Sequence, residues 1–528
     1  AEAAQVEGAT EGIGQVGTAR DGTAPVKASR GETAQTGTPQ VEAAQQGPTQ
    51  SGVAHERNSQ VEAARASAVQ TGMATERTSQ AGAAQEGTAQ DRAAKGGAFD
   101  VAPSARAERA ALGHALAGRF VTPGPSGSPY RGRRDVLPTG RNLFTTDPRS
   151  VPTRAAWRQG RRLADELVRR HLQDDGDWPR GVVVDLWGSA TMRTAGEEFA
   201  MALALIGVRP CWDEGSERVS GIEAVPLTEM DRPRIDVTLR VSGLFRDVFP
   251  SLAGLFGQAV RMLAGRDEAA DFNPYVTGAG AGGPRVYGPA PGSYGLGLGD
   301  LPEQYGAEAR ARAGEAWLAA SAWALDGVQN GGQNGAPNGA DAVHDPAGIR
   351  ARVAGADAFV HLQDLAESDL LLAADYAAHE AGFAAAQAVA QDGTGQQAPA
   401  RLWHLDNTDP DRVRVRALGE EIARVVRARA SHPGWIAGMQ RHGFRGAAEI
   451  AATLDHMAAF AQLAGVVGDH LFDLYFDATL GDDRVAAFLA EANPRAHAAM
   501  WDRFRALDAA GLWATRRNAI RAALEGVA

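Results

Sequence analysis

The sequence predicts an α/β fold: parallel-type sheet units flanked by helices, followed by a mainly helical C-terminal region and preceded by a disordered tract. Three observations carry this. The first 98 of 528 residues hold no Phe, Tyr, Trp or Leu, too little apolar surface to offset chain entropy. Short β-branched runs then alternate with helical periodicity, the pattern of βαβ units. From Val413 to Val527 the chain reads as helices.

The elements follow in order. Gln40-Val41-Glu42-Ala43-Ala44 recurs as Gln60-Val61-Glu62-Ala63-Ala64, with a weaker copy at Gln80, a 20-residue period. A solenoid needs a hydrophobic ladder; these copies carry only Val and Ala and read as a duplicated disordered tract over 1–98. Order is expected from Phe99. Phe120 to Asn142, rich in Pro, Gly and Arg, reads as an extended loop. Trp157, Leu163, Leu167 and Leu172 mark a helix. Gly181 to Trp187 is a buried strand, Thr194 to Ile206 a helix, Val208 to Trp212 a second strand and Ile235 to Val241 a third, followed by a helix over Phe245 to Ala264. A Gly-rich stretch (Gly278 to Gly299) precedes a helix from Glu303 to Asp326. A flexible Gly/Asn linker covers 329–344. A strand at Ala358 to Leu362, a long helix from Leu370 to Ala390 and a strand at Leu402 to Leu405 lead into the helical end. The division expected is 1–98, 99–328, 329–344 and 345–528.

Composition excludes several classes. No run approaches the ~18 apolar residues of a membrane span, and the start lacks the order of a signal peptide. The single cysteine, Cys211, excludes a disulfide framework and a Cys-ligated zinc site, and suits a reducing cytoplasm. A net charge of −11 gives no reason to expect nucleic acid. Generic motifs add little. Gly278-Ala279-Gly280-Ala281-Gly282-Gly283 matches a dinucleotide fingerprint by letter, with no strand before it. Walker A, nucleophile-elbow and zincin sequences are all missing. Asp406 to Asp411 lacks the Gly and Glu of a calcium loop and reads as a turn capping the next helix.

Longer strings are specific. They include Leu137-Pro138-Thr139-Gly140-Arg141-Asn142, Val184-Asp185-Leu186-Trp187-Gly188-Ser189-Ala190-Thr191-Met192-Arg193-Thr194, Ser242-Gly243-Leu244-Phe245-Arg246-Asp247, Tyr287-Gly288-Pro289-Ala290-Pro291-Gly292-Ser293-Tyr294-Gly295, Asp375-Tyr376-Ala377-Ala378-His379-Glu380 and Trp435 to Ala447. Together, from about Phe120 to Arg517, they resemble the C-terminal part of the large subunit of aerobic cobaltochelatase (CobN), homologous to the magnesium chelatase H subunit. The family reads His-Glu-Gly-Gly where this chain has His379-Glu380-Ala381-Gly382. Residues 99–328 then become a chelatase-like domain.

The resemblance implies ATP-dependent insertion of Co²⁺ into hydrogenobyrinic acid a,c-diamide in cobalamin biosynthesis. Co²⁺ is a substrate. ATP and Mg²⁺ are used by partners, an AAA+ ATPase subunit and its adaptor subunit, in keeping with the missing Walker A sequence. The tetrapyrrole is the other partner, and a separate N-terminal portion of the large subunit is compatible. Two alternatives stay open: magnesium insertion into protoporphyrin IX, and a non-catalytic tetrapyrrole-binding module.

Such a reaction needs a metal ligand, a base for the ring N–H protons and groups that hold the ring. His379 is the candidate ligand and Glu380 the candidate base, with Glu380 also a candidate metal residue. Adjacent helical residues diverge by about 100°, so the two cannot both face one metal without distortion. Arg246 suits a peripheral carboxylate; Asp247 is a base or a helix cap. Tyr287, Ser293 and Tyr294 sit in a Gly/Pro loop that offers stacking and hydroxyl groups to a flat ligand. Trp187 ends a strand and is either core or ring-binding.

Overall fold

The computed structural model describes residues 100–125, 129, 136–144, 147–276, 283–299, 303–326, 342–393, 395 and 398–526. The repeat tract, Gly278 to Gly282 and residues 327–341 of the linker region lie outside them.

Eight strands form the central sheet: β1 (Gly181–Leu186), β2 (Asp236–Val241), β3 (Val286–Gly288), β4 (Trp323–Ala324), β5 (Val343–His344), β6 (Ala358–Gln363), β7 (Arg401–Asp406) and β8 (Arg414–Ala417). Their spatial order is β8-β7-β6-β1-β2-β3-β4-β5. The middle five pair in parallel, and antiparallel strands close both edges. Strands buried on both faces read as continuous apolar runs, and β1 (Val182-Val183-Val184) and β6 (Phe359-Val360) do so. From β1 the chain winds to β2 and β3 on one side, then returns through β6 and β7 on the other. The order therefore reverses between β1 and β6.

Each face carries its own core. Val182, Val184 and Leu186 pack with helices Arg154–Asp175, Glu197–Ile206 and Pro250–Ala264. Val183 and Phe359 pack with Trp317 and Phe383, from helices Ala307–Ala320 and Gly382–Gln391, in a cluster that continues into the C-terminal helices. The first core depends on close helix contact. A Cβ on Gly160 would stand 2.5 Å from the Ala200 Cβ and 2.6 Å from the Met201 amide nitrogen. Gly160→Val is expected to cost about 1–3 kcal/mol, read as a lower urea midpoint at unchanged slope.

Several elements differ from expectation. Val208–Trp212 is a strand, but it pairs antiparallel with Val219–Ala224 in a separate ribbon, because only a short turn separates the two. The helix expected over 194–206 breaks at Ala195 and Gly196, both with positive φ. The C-terminal region opens with β8 before its helices begin at Leu418. Asp406 accepts from the Thr408 amide and hydroxyl in a turn that leads to β8, not to a helix. The sheet draws strands from both sides of residues 329–344, so the expected division there falls inside one sheet. Among the described residues no helix is long and apolar enough to cross a membrane.

Candidate functional site at the strand switch

Sheets of this kind bind ligands beyond the carboxyl ends of the strands, where the strand order reverses. Here that crevice lies between β1 and β6, and the residues beside it are polar. Register places His404 (β7), His361 (β6), Asp185 (β1), Arg240 (β2) and Tyr287 (β3) side by side across five strands. Alternation puts them on one face.

Asp185 is the centre of this row and only 3% exposed. Its Oδ2 accepts from Trp187 Nε1 at 2.7 Å and lies 3.1 Å from His361 Nδ1 and 3.0 Å from His379 Nδ1. Its Oδ1 accepts from Arg240 Nη1 at 3.3 Å. Arg240, itself buried, also comes within 3.0 Å of His379 Nδ1, donates from Nε to Ser321 Oγ at 3.3 Å and lies over the Trp317 ring.

Burial alone would raise the Asp185 carboxyl, but His379, His361 and Arg240 outweigh it and hold it well below the ordinary value. Burial pulls both histidines down. For His361 the hydrogen bond to Asp185 and the nearby Glu380 charge reverse this and raise it. For His379 burial wins, assisted by Arg240 against the pull of Asp185, and the value is lowered. One carboxylate thus faces a histidine that favours its proton and another that favours neutrality, the form that binds metal.

His379 and Glu380 lie in a π-helical turn, Ala377–Ala381. Such turns are rare and concentrate at functional sites. His379 reaches toward β1. Glu380 reaches toward β7, where its Oε2 lies 3.2 Å from His404 Nδ1. Those strands are two apart, or about 10 Å, so the pair does not converge on one point. Among the described residues no group of three His, Cys, Asp or Glu has metal-holding geometry. Glu380 is 1% exposed, and its Oε1 has no hydrogen-bond partner.

Trp187 belongs to this cluster. It is half-buried, its ring centroid lies 4.9 Å from both His361 and His379, and it stacks on Tyr376 at 5.4 Å.

Arg246, Asp247 and Tyr294 form a neighbouring group. Gly188, directly after Trp187, donates its amide to Ser242 Oγ at 3.1 Å, and a Cβ there would meet the Phe245 nitrogen at 2.5 Å. This close approach joins the two groups. Ser242, not Asp247, caps helix Gly243–Val248 by accepting from the Phe245 amide. Asp247 is exposed and accepts from Tyr294 OH at 2.5 Å and Arg246 Nε at 2.8 Å. Arg246 is buried, with Nη1 donating to the carbonyls of Pro289, Ala290 and Ser293. It ties down the loop that carries the exposed Ser293, and only its Nη2 lacks a partner.

Tyr287 departs from expectation. It is not in the loop with Ser293 and Tyr294 but on β3, buried, with its hydroxyl donating to Asp345 Oδ2 at 2.8 Å. The three residues of β3 are too short a run to stand out from the surrounding glycines and prolines.

The site residues missed from sequence are Asp185, His361, Arg240, His404 and Tyr376. Asp185 and His361 carry one signal: a lone ionisable residue near the carboxyl end of an apolar strand, where unpaired charge is rarely buried; Arg240 and His404 share their strands with Asp236 and with Arg401 and Asp406 and stand out less.

Comparisons with known proteins agree with this architecture. The family model described as CobN/Magnesium Chelatase matches residues 9–520, extending further toward the N-terminus than the strings from Phe120 to Arg517. The aerobic cobaltochelatase subunit CobN of Sinorhizobium sp is 43% identical over 444 residues, 81% of this chain and 34% of that protein. The chloroplastic magnesium-chelatase subunit ChlH of Oryza sativa subsp. japonica is 30% identical over 428 residues, 77% of this chain and 29% of that protein. The solved catalytic subunit of cobaltochelatase from Mycobacterium tuberculosis is 35% identical with a TM-score of 0.69, covering 80% of this chain and 36% of that one. The chain spans about a third of the length of these relatives. Matched by the family model over nearly all its residues, and sharing the fold of a solved relative, the chain belongs to the CobN/magnesium chelatase family.

Proposed function

We propose that this chain is the catalytic portion of a cobaltochelatase large subunit, working in the cytoplasm. It inserts Co²⁺ into hydrogenobyrinic acid a,c-diamide, while an AAA+ ATPase subunit and its adaptor supply the ATP-driven work. The observation that carries this reading is the neutral-favouring His379 imidazole held against Asp185 at the strand switch. A carboxylate behind a histidine orients the ring and strengthens it as a ligand.

In this reading His379 receives Co²⁺ and hands it to the ring. Two N–H protons leave the macrocycle as the metal enters. Glu380 accepts one through Oε1, its Oε2 being held by His404, and the other passes to solvent water. Asp185 and Arg240 keep His379 in place. Arg246, through Nη2, and Tyr294 hold the ring periphery; Asp247 orients Tyr294. Cobalt is favoured over magnesium by the higher identity to the CobN relative.

The test offers each metal with each macrocycle to the full chain, with ATPase partners and ATP. Cobalt insertion into the corrin precursor is expected. Magnesium insertion into protoporphyrin IX would replace this reading, and macrocycle binding without insertion would make the chain a carrier.

A further inference from the structure

The Asp185–His379 cluster is buried, and what packs against it is aromatic. Tyr376 stacks on Trp187 with the rings 24° apart, and meets His361 edge-on at 5.7 Å. Tyr376 is buried, so it fills space against Trp187 and His361, and Trp187 in turn packs on His379. Its hydroxyl lies 3.1 Å from Ser368 Oγ, in the segment that leaves β6.

That segment is clasped. Asp364 accepts from Arg193 Nε at 2.7 Å and from Nη2 at 2.8 Å. Arg193 lies on helix Gly188–Thr194, which follows β1. The pair therefore crosses the crevice between the exits of β1 and β6. Further along, Asp369 pairs with Arg429, and Leu370 and Leu371 are fully buried, anchoring the far end. Bidentate Arg–carboxylate pairs fix geometry as well as charge. The π-helical turn begins directly after Tyr376. A π turn becomes α-helix by shedding one residue, which turns the preceding residue by about 100° about the axis. This gives Tyr376 a way out without unfolding its neighbours.

We propose that Tyr376 is a plug over the Asp185–His379 cluster and that the Arg193–Asp364 pair is the latch that keeps it shut. A flat macrocycle reaches the cluster only after the latch opens. The inference rests on the proposed function for what enters, but not for its test.

Diethyl pyrocarbonate acylates accessible neutral imidazoles, and peptide mass spectrometry reads the rate at each histidine. The full chain is treated at pH 7 without metal or macrocycle. Arg193→Gln, Asp364→Asn and Tyr376→Ala are each expected to raise the rate at His379 and His361 at least tenfold. The rate at His171, buried in the core of the opposite face, should stay unchanged. Arg401→Gln breaks an ion pair with Asp175 at the far end of β7 and should leave the rates at His379 and His361 at the wild-type value. Unchanged rates at His379 in the three variants would overturn the proposal. So would an equal rise at His171, or in the Arg401 variant, since either reports a loosened fold instead of an opened latch. Failure here leaves metal insertion by the wild type to be judged separately, because no metal or macrocycle takes part.

Discussion

Replacing His379 with alanine abolishes metal insertion and spares macrocycle binding. The loss in kcat/KM should exceed the 10–100-fold typical of a supporting residue, because the variant removes the imidazole itself. Macrocycle affinity, read by quenching of tryptophan fluorescence, should change less than about threefold, since the proposed ring contacts, Arg246 and Tyr294, are left intact. Glu380→Gln provides the contrast. It keeps the bond to His404 but cannot accept a proton, so cobalt binding should persist while insertion slows by about 10²–10⁴-fold. Equal losses of cobalt affinity in the two variants would remove the division between ligand and base. His379→Ala with normal turnover would take His379 out of the site.

The second large effect falls on Asp185. Asp185→Asn leaves the buried Arg240 without its carboxylate, and breaking a buried pair costs about 3–5 kcal/mol. The pH dependence should change as well. The Asp185 carboxyl is held well below its unfolded value, so its contribution is complete above the ordinary carboxylate range and is lost as pH falls below about 4. The His361 imidazole is raised, so its contribution is complete below about pH 6.5 and is lost as pH rises through the folded value. The wild type should therefore lose some stability between neutral and mildly alkaline pH. In the asparagine variant burial dominates at His361, its value falls below the ordinary one, and that loss disappears. Urea midpoints measured from pH 4 to 9 check both signs. Parallel wild-type and variant profiles would show that the carboxylate does not hold these histidines.

Much of the fold is legible because β1 and β6 are apolar runs bounded by glycine, proline or charge, and β2 alternates β-branched and polar residues. The parallel sheet followed from their alternation with helices. What could not be read was pairing at a distance. Val208–Trp212 looks like a sheet strand, yet its neighbour in space is Val219–Ala224, a segment with too many small and charged residues to stand out. β3 and β4 are three and two residues long, too short to separate by pattern from the Gly/Pro loop that follows Tyr287.

The site was legible in part. His379 and Glu380 were found by their string, and the expectation that they diverge agrees with one facing Asp185 and the other His404. The row itself is Asp185, Arg240, His361 and His404, of which Asp185 and His361 are single ionisable residues in apolar strands. Taken one strand at a time, each looked like a tolerated exception. Only the register of five parallel strands brings them side by side.

In the proposed function, metal enters the macrocycle at the Asp185–His379 cluster. Cobalt-edge X-ray absorption of the full chain loaded with Co²⁺ tests it most directly. Imidazole scattering is expected in the wild type, lost in His379→Ala and retained in Glu380→Gln. The same spectrum from wild type and His379→Ala would contradict the claim and move the metal elsewhere in the chain.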